Sequence, residues 1–344
     1  MIGSRGLTTL SLLCYISYWR TQNNIDIKGN GKYMNQEKSK NRMSQALIGL
    51  VVFIFVILAM IFICAPLQMK FGMYGVALTE LIFLAIALIG IKISKYKIKD
   101  VLAIKAPKFT ELRGSAYIYI GSFCLSILCT TIISRFFPEM FNVSQGIGNV
   151  ITGVSYPIAI IIVSILPGIC EEALHRGYLL STLNGYSSVR ARVVIMGIIF
   201  GIFHLDPYRF APTMILGMGL TYIMVKTGNL LLPMIFHALN NFISTTASFW
   251  IVNSNLMNQI DVQEVYNSTG ILQSIGSFLF YLAPCIFFLY LGYRRLNNSS
   301  KRNTTITVFV VCGCLIIAGY ALIFISVVSS GDLGMAVQEI LDRL

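Results

Sequence analysis

Two carboxylates, an imidazole and a guanidinium fall within six consecutive positions of this chain, at Glu171, Glu172, His175 and Arg176. The chain has only three histidines; the others are His204 and His237, and Asn241 lies four residues after His237. On a helix, residues four apart share a face. Glu172 can therefore pair with Arg176, Glu171 sits on the face of His175, and His237 faces the same way as Asn241. A carboxylate shielded from bulk water can take a proton from a water molecule near neutral pH. The hydroxide attacks a carbonyl, and His or Asn side chains donate hydrogen bonds to the oxyanion that forms. Glu171, His204, His237 and Asn241 could hydrolyse an amide in this way, with no nucleophilic Ser or Cys. Zinc offers a competing version, because Glu171, His204 and His237 make a plausible ligand triad that would supply Lewis acidity. The H-E-x-x-H signature is absent, and the choice between zinc and a metal-free glutamate mechanism stays open.

These groups lie in strongly apolar surroundings. Hydrophobic residues make up 56% of the 344 positions and charged residues 12%, about half the charged share of a soluble domain. The expectation is an all-α, polytopic membrane bundle of about nine transmembrane helices around an intramembrane cavity. The spans read as 46–66, 72–91, 115–136, 156–182, 191–205, 210–226, 229–249, 272–292 and 305–328. They group into N-terminal helices at 46–136, a core at 156–249 and C-terminal helices at 272–328. Residues 1–45 hold a short apolar stretch, Leu7–Trp19, and a polar stretch, Asn23–Lys40, that reads as linker; they receive no function. With the N-terminus in the cytoplasm, inner segments carry twenty Lys and Arg against four outside, a strong positive-inside bias. The net charge of +12 is thus explained by topology. Lys92–Arg113 is expected to lie along the anionic inner leaflet, and no basic stripe interleaves with aromatics as a nucleic-acid surface would. The eight cysteines lie almost wholly in apolar runs and form no C-x-x-C pair, so they read as small hydrophobes.

Depth ties the polar residues together. Counted from the assumed inner ends at 1.5 Å per residue, Glu171, His204 and His237 lie about 16, 20 and 12 Å deep. Groups from three separate spans thus reach one slab, although a charge at mid-membrane costs about 2.5–3.5 kcal/mol. Pro167 and Pro233 each stand four residues before a site residue and are expected to kink their helices. Plainer readings apply to the neighbours: Glu172 with Arg176 as a structural ion pair, His175 and Phe200 as packing. Asn241 is preferred to Asn240 for its spacing from His237.

Glu171-Glu172-x-x-x-Arg176, Phe200-x-x-x-His204 and His237-x-x-x-Asn241, in this order on three separate spans, resemble the three motifs of the CAAX protease and bacteriocin-processing (CPBP, or Abi) family, which includes the type II CAAX prenyl endopeptidases. The resemblance covers about 156–249 and implies a multi-pass intramembrane endopeptidase of the cell membrane acting on a peptide or membrane-protein substrate. It implies that Glu171 activates the water and His204 helps to hold it. His237 and Asn241 would form the oxyanion site, with Glu172 and Arg176 in support. A prenylated substrate is not implied, since bacterial members include bacteriocin immunity and maturation proteins. Two other classes stand beside this one. A proton-coupled transporter would be marked by inverted repeats, which are not seen, and a catalytically silent immunity scaffold by decay of the motifs, all of which are intact.

Overall fold

The computed structural model describes residues 31–185, 187–254, 270–299 and 302–329; among them every regular element is helical. The stretch Leu7–Trp19 lies outside the described residues. Helix α1 runs through Gly31–Ala59 and a π-helical turn at Met60–Cys64 into Ala65–Phe71. It begins inside the polar stretch expected to be linker, whose Lys, Gln and Glu residues are all good helix formers. Gly72, at φ 56°, ends α1 and lets the chain turn into α2 (Met73–Ile93). Then follow α3 (Phe109–Phe136), α4 (Met140–Ile151), α5 (Tyr156–Thr182), α6 (Val189–Phe203), α7 (Pro207–Thr227), α8 (Leu231–Asn253), α9 (Ile271–Leu296) and α10 (Arg302–Ser329).

Each expected span coincides with one of these helices. Six of them, α1, α2, α3, α5, α9 and α10, contain a stretch long and apolar enough to cross a membrane. Helix α6 has 15 residues, about 22 Å, shorter than the roughly 30 Å hydrocarbon layer. It folds back as a hairpin with α7, whose N-cap Asp206 accepts hydrogen bonds from Tyr208 N at 2.9 Å and Arg209 N at 3.2 Å. Pro207 supplies the first helical position, where its missing N–H costs nothing. Helix α4 falls between two expected spans, in a segment with no expected helix, and packs on α8.

Helix α5 is central: 56% of its apolar window is buried, against 11–33% for the other five long apolar helices. Two π-helical turns, Ile160–Ile165 and Ala173–Leu179, flank its α-helical middle, Leu166–Glu172. Such turns offset the helix faces and are frequent at functional sites. They bracket the segment that carries both carboxylates. Pro167 stands just after the first of them, but the kink expected at Pro233 does not arise. Pro233 lies in the first turn of α8, where backbone N–H groups lack helical partners in any case.

Two apolar clusters hold the bundle. One joins α1, α2, α5 and α6 through residues such as Val56, Phe83, Leu174 and Met196, and the other joins α3, α7 and α8 through Ile118, Leu220 and Phe236. The segment after α2 does more than run along a surface. Asn229, just before α8, accepts from Lys105 N at 3.1 Å and donates to Lys105 O at 2.8 Å, and Leu230 N bonds Ala103 O at 2.8 Å. This strap fixes the start of α8, and with it the height of His237.

Candidate active site

The two clusters meet around α5, α6 and α8, and the charged groups sit at that junction. Glu172 Oε1 accepts from Arg176 Nη1 at 2.5 Å and from His237 Nδ1 at 2.8 Å. Glu172 and Arg176 are completely buried. The guanidinium also donates to Gly217 O of α7 at 3.0 Å and lies 4.3 Å from the Phe200 ring centroid of α6. The expected Glu172–Arg176 pair is therefore present, and it extends further than the i,i+4 spacing suggests. One carboxylate oxygen links α5 to α8, and one guanidinium links α5 to α6 and α7. Bonds to ionised groups are about twice as strong as neutral ones.

With Nδ1 committed to Glu172, His237 turns Nε2 toward Glu171, 3.9 Å from its Oε2. That oxygen is buried and has no hydrogen-bond partner among the described residues. A buried polar atom without a partner costs about 1–3 kcal/mol, so its retention calls for an occupant such as water or substrate. His175 donates from Nδ1 to Glu171 O at 2.8 Å and packs its ring edge-on against Phe200 and Phe203. This is the packing role expected of it.

Phe200 is the hub that spacing alone did not reveal. Its ring contacts those of His175, His204 and His237 at centroid distances of 5.1, 4.9 and 5.5 Å, with Arg176 over its face. His204 closes α6, and its Nδ1 donates to Phe200 O at 2.8 Å. That bond fixes the tautomer and leaves Nε2 as an acceptor. The next residue, Leu205, adopts φ 49°, a left-handed conformation that is costly for a branched side chain and is seen where function holds a backbone under strain.

His204 and His237 line one cavity of about 40 Å³ with Asn240, Asn241, Arg209 and Tyr119, room enough for ordered water. Asn240 Nδ2 donates to Asn241 Oδ1 at 3.2 Å, which leaves the Asn241 amide nitrogen free to donate. The structure thus brings together Glu171, Glu172, Arg176 and His237 by direct contact, and His204 and Asn241 around the shared cavity. It does not gather Glu171, His204 and His237 as metal ligands: among the described residues no group of three His, Cys, Asp or Glu side chains is placed to hold an ion. As placed, these three side chains do not fit the zinc ligand set.

The match to known proteins falls on these same helices. Residues 153–243 match the family model described as type II CAAX prenyl endopeptidase Rce1-like. In this segment, about a quarter of the chain, the protein is similar to the Rce1-like family. No curated protein and no solved structure matches the chain. The Rce1-like segment runs from α5 into α8 and contains all three motifs, so the part of the chain that resembles CAAX-type endopeptidases is the part that carries Glu171, His204, His237 and Asn241, set in a bundle with six helices long and apolar enough to cross a membrane.

One buried acid outside the Rce1-like segment was missed. Glu80 of α2 is 4% exposed, its Oε2 has no hydrogen-bond partner among the described residues, and it lies within electrostatic range of Glu171 and Cys170. The signal was available, since Glu80 is the only carboxylate in α2. The α5–α8 contact that sets the site depends on Gly168. A Cβ there would meet Ala238 Cβ at 2.8 Å and Met234 O at 3.1 Å, a close approach of the kind small residues permit between membrane helices. Gly168→Ala is expected to destabilise the protein by about 1–3 kcal/mol and to slow cleavage by moving His237 away from Glu171. Thermal unfolding in detergent, read beside activity, checks this.

Proposed function

We propose that this chain is an intramembrane endopeptidase in which Glu171 takes a proton from water and the resulting hydroxide attacks a peptide carbonyl. The observation that carries this reading is the 3.9 Å between Glu171 Oε2 and His237 Nε2. A base and an oxyanion donor must both lie near the same reacting carbon, and that separation permits it. His204 offers Nε2 as an acceptor that can orient the attacking water. His237 carrying both ring protons stands between the Glu171 and Glu172 carboxylates and donates Nε2–H to the oxyanion, and Asn241 adds its free amide N–H. The proton held by Glu171 then passes to the leaving nitrogen, so the step balances as water plus amide giving acid plus amine. Glu172 and Arg176 hold His237 in place.

The substrate is a peptide or membrane protein within the bilayer. Processing of, or immunity to, peptides such as bacteriocins is one setting that suits it. The test compares the membrane peptides of cells carrying wild type or Glu171→Gln by mass spectrometry. At least one peptide is expected to accumulate uncleaved with the variant, and identical peptide populations would refute the reading. In the same assay His204→Ala and Asn241→Ala are each expected to lower kcat about 10²-fold or more with little change in KM. An Asn241→Ala effect confined to KM would remove that residue from the oxyanion site.

A further inference from the structure

Helix α3 lies outside the Rce1-like segment, yet it contributes a side chain to the cavity. Tyr119 is 6% exposed, lines the cavity shared by His204, His237, Asn240 and Asn241, and its hydroxyl has no hydrogen-bond partner among the described residues. Buried tyrosine hydroxyls ordinarily find a partner. The ring cannot readily turn the oxygen elsewhere, because it is stacked on both sides. Its centroid lies 5.2 Å from that of Phe236 with 22° between planes, and 5.7 Å from that of Phe123 with 28°. Phe236 directly precedes His237, and Asn240 is one turn further along the face of Phe236. Tyr119 is therefore stacked on the helix face that leads to the Asn240–Asn241 amide pair.

From this we infer that the Tyr119 hydroxyl is a further substrate-contacting group, donating its O–H to a peptide carbonyl oxygen that enters the cavity from a substrate lying at its mouth. A phenol is suited to this role, since it gives one donor on a rigid apolar body. Its bound partner would satisfy an oxygen that the protein leaves bare. The inference rests on the peptidase reading above.

Tyr119→Phe tests it cleanly, because the substitution removes one oxygen and keeps both ring stacks. The readout is the rate at which membranes process the peptide that distinguishes wild type from Glu171→Gln, followed by pulse-chase mass spectrometry, with the thermal midpoint of each purified variant measured in parallel. Tyr119→Phe is expected to slow processing about tenfold at unchanged thermal midpoint and membrane level. Wild-type processing by Tyr119→Phe, with Glu171→Gln inactive, would overturn this inference and leave the peptidase reading standing. A rate loss accompanied by a matching loss of thermal stability would also overturn it, by making the hydroxyl structural. Normal processing by Glu171→Gln would bring down both.

Discussion

Glu171→Gln is expected to reduce peptide cleavage by about 10²–10⁴-fold, the range associated with loss of a positioned general base, while the protein accumulates and melts as wild type does. The two halves of this expectation come from different observations. Activity falls because an amide has no lone pair basic enough to hold the water's proton. Stability holds because the Glu171 Oε2 atom has no hydrogen-bond partner among the described residues, so no protein–protein bond at that atom is broken by the change. Glutamine also occupies nearly the same volume, leaving no cavity for neighbouring side chains to collapse into. The change removes the attraction between the carboxylate and His237 Nε2 at 3.9 Å, and that loss is offset by removing a charge that is costly in hydrocarbon surroundings. Cleavage rates and thermal midpoints measured on the same purified samples check both parts. Full activity would show that Glu171 is not the base. Inactivity caused only by loss of protein would show that its role is structural.

How much of this could be read from the sequence depends on the range of the interaction. Glu172 with Arg176, and His237 with Asn241, are local spacings, and helix geometry alone places each pair on one face. Helix rise reaches further: it brings Glu171, His204 and His237 to one level from three spans, and the structure places Glu171 and His237 3.9 Å apart. Azimuth is what depth cannot give. Nothing in the spacing says that Glu172 would turn across the bundle to His237 Nδ1, or that Phe200 would sit among three imidazoles, because both depend on how α5, α6 and α8 rotate against one another. Close-approach positions such as Gly168 set that rotation, and they are recognisable only once the partner helix is known. Pro233 misled for a different reason. Its effect depends on its distance from the helix start, and α8 begins two residues earlier, at Leu231. Glu80 needed no geometry at all, since a lone carboxylate in an apolar span is itself a signal.

The charged cluster offers a way to separate folding from catalysis. Arg176→Met alone leaves the Glu172 carboxylate buried without its guanidinium, and Glu172→Leu alone leaves the guanidinium without its carboxylate. Each is expected to cost about 3–5 kcal/mol, because a buried charge stripped of its partner is not compensated. Replacing both by apolar side chains removes both charges, and such replacements are often neutral in stability. Gly217 O would lose the Arg176 donor but still accepts from Thr221 Oγ1 at 2.7 Å, so the double variant leaves that carbonyl paired. Glu172→Leu/Arg176→Met should therefore accumulate and melt closer to wild type than either single variant. Activity should not follow. His237 Nδ1 has lost the acceptor that bonded it at 2.8 Å, so the ring no longer holds Nε2 toward Glu171; removing the carboxylate that orients a catalytic imidazole costs on the order of 10⁴-fold in serine proteases. A stable but inactive double variant is the expected result, read from thermal unfolding and cleavage of the same preparation. If the double variant instead recovered cleavage along with stability, Glu172 would be only a counter-ion for Arg176, and His237 would need some other feature of the bundle to aim it.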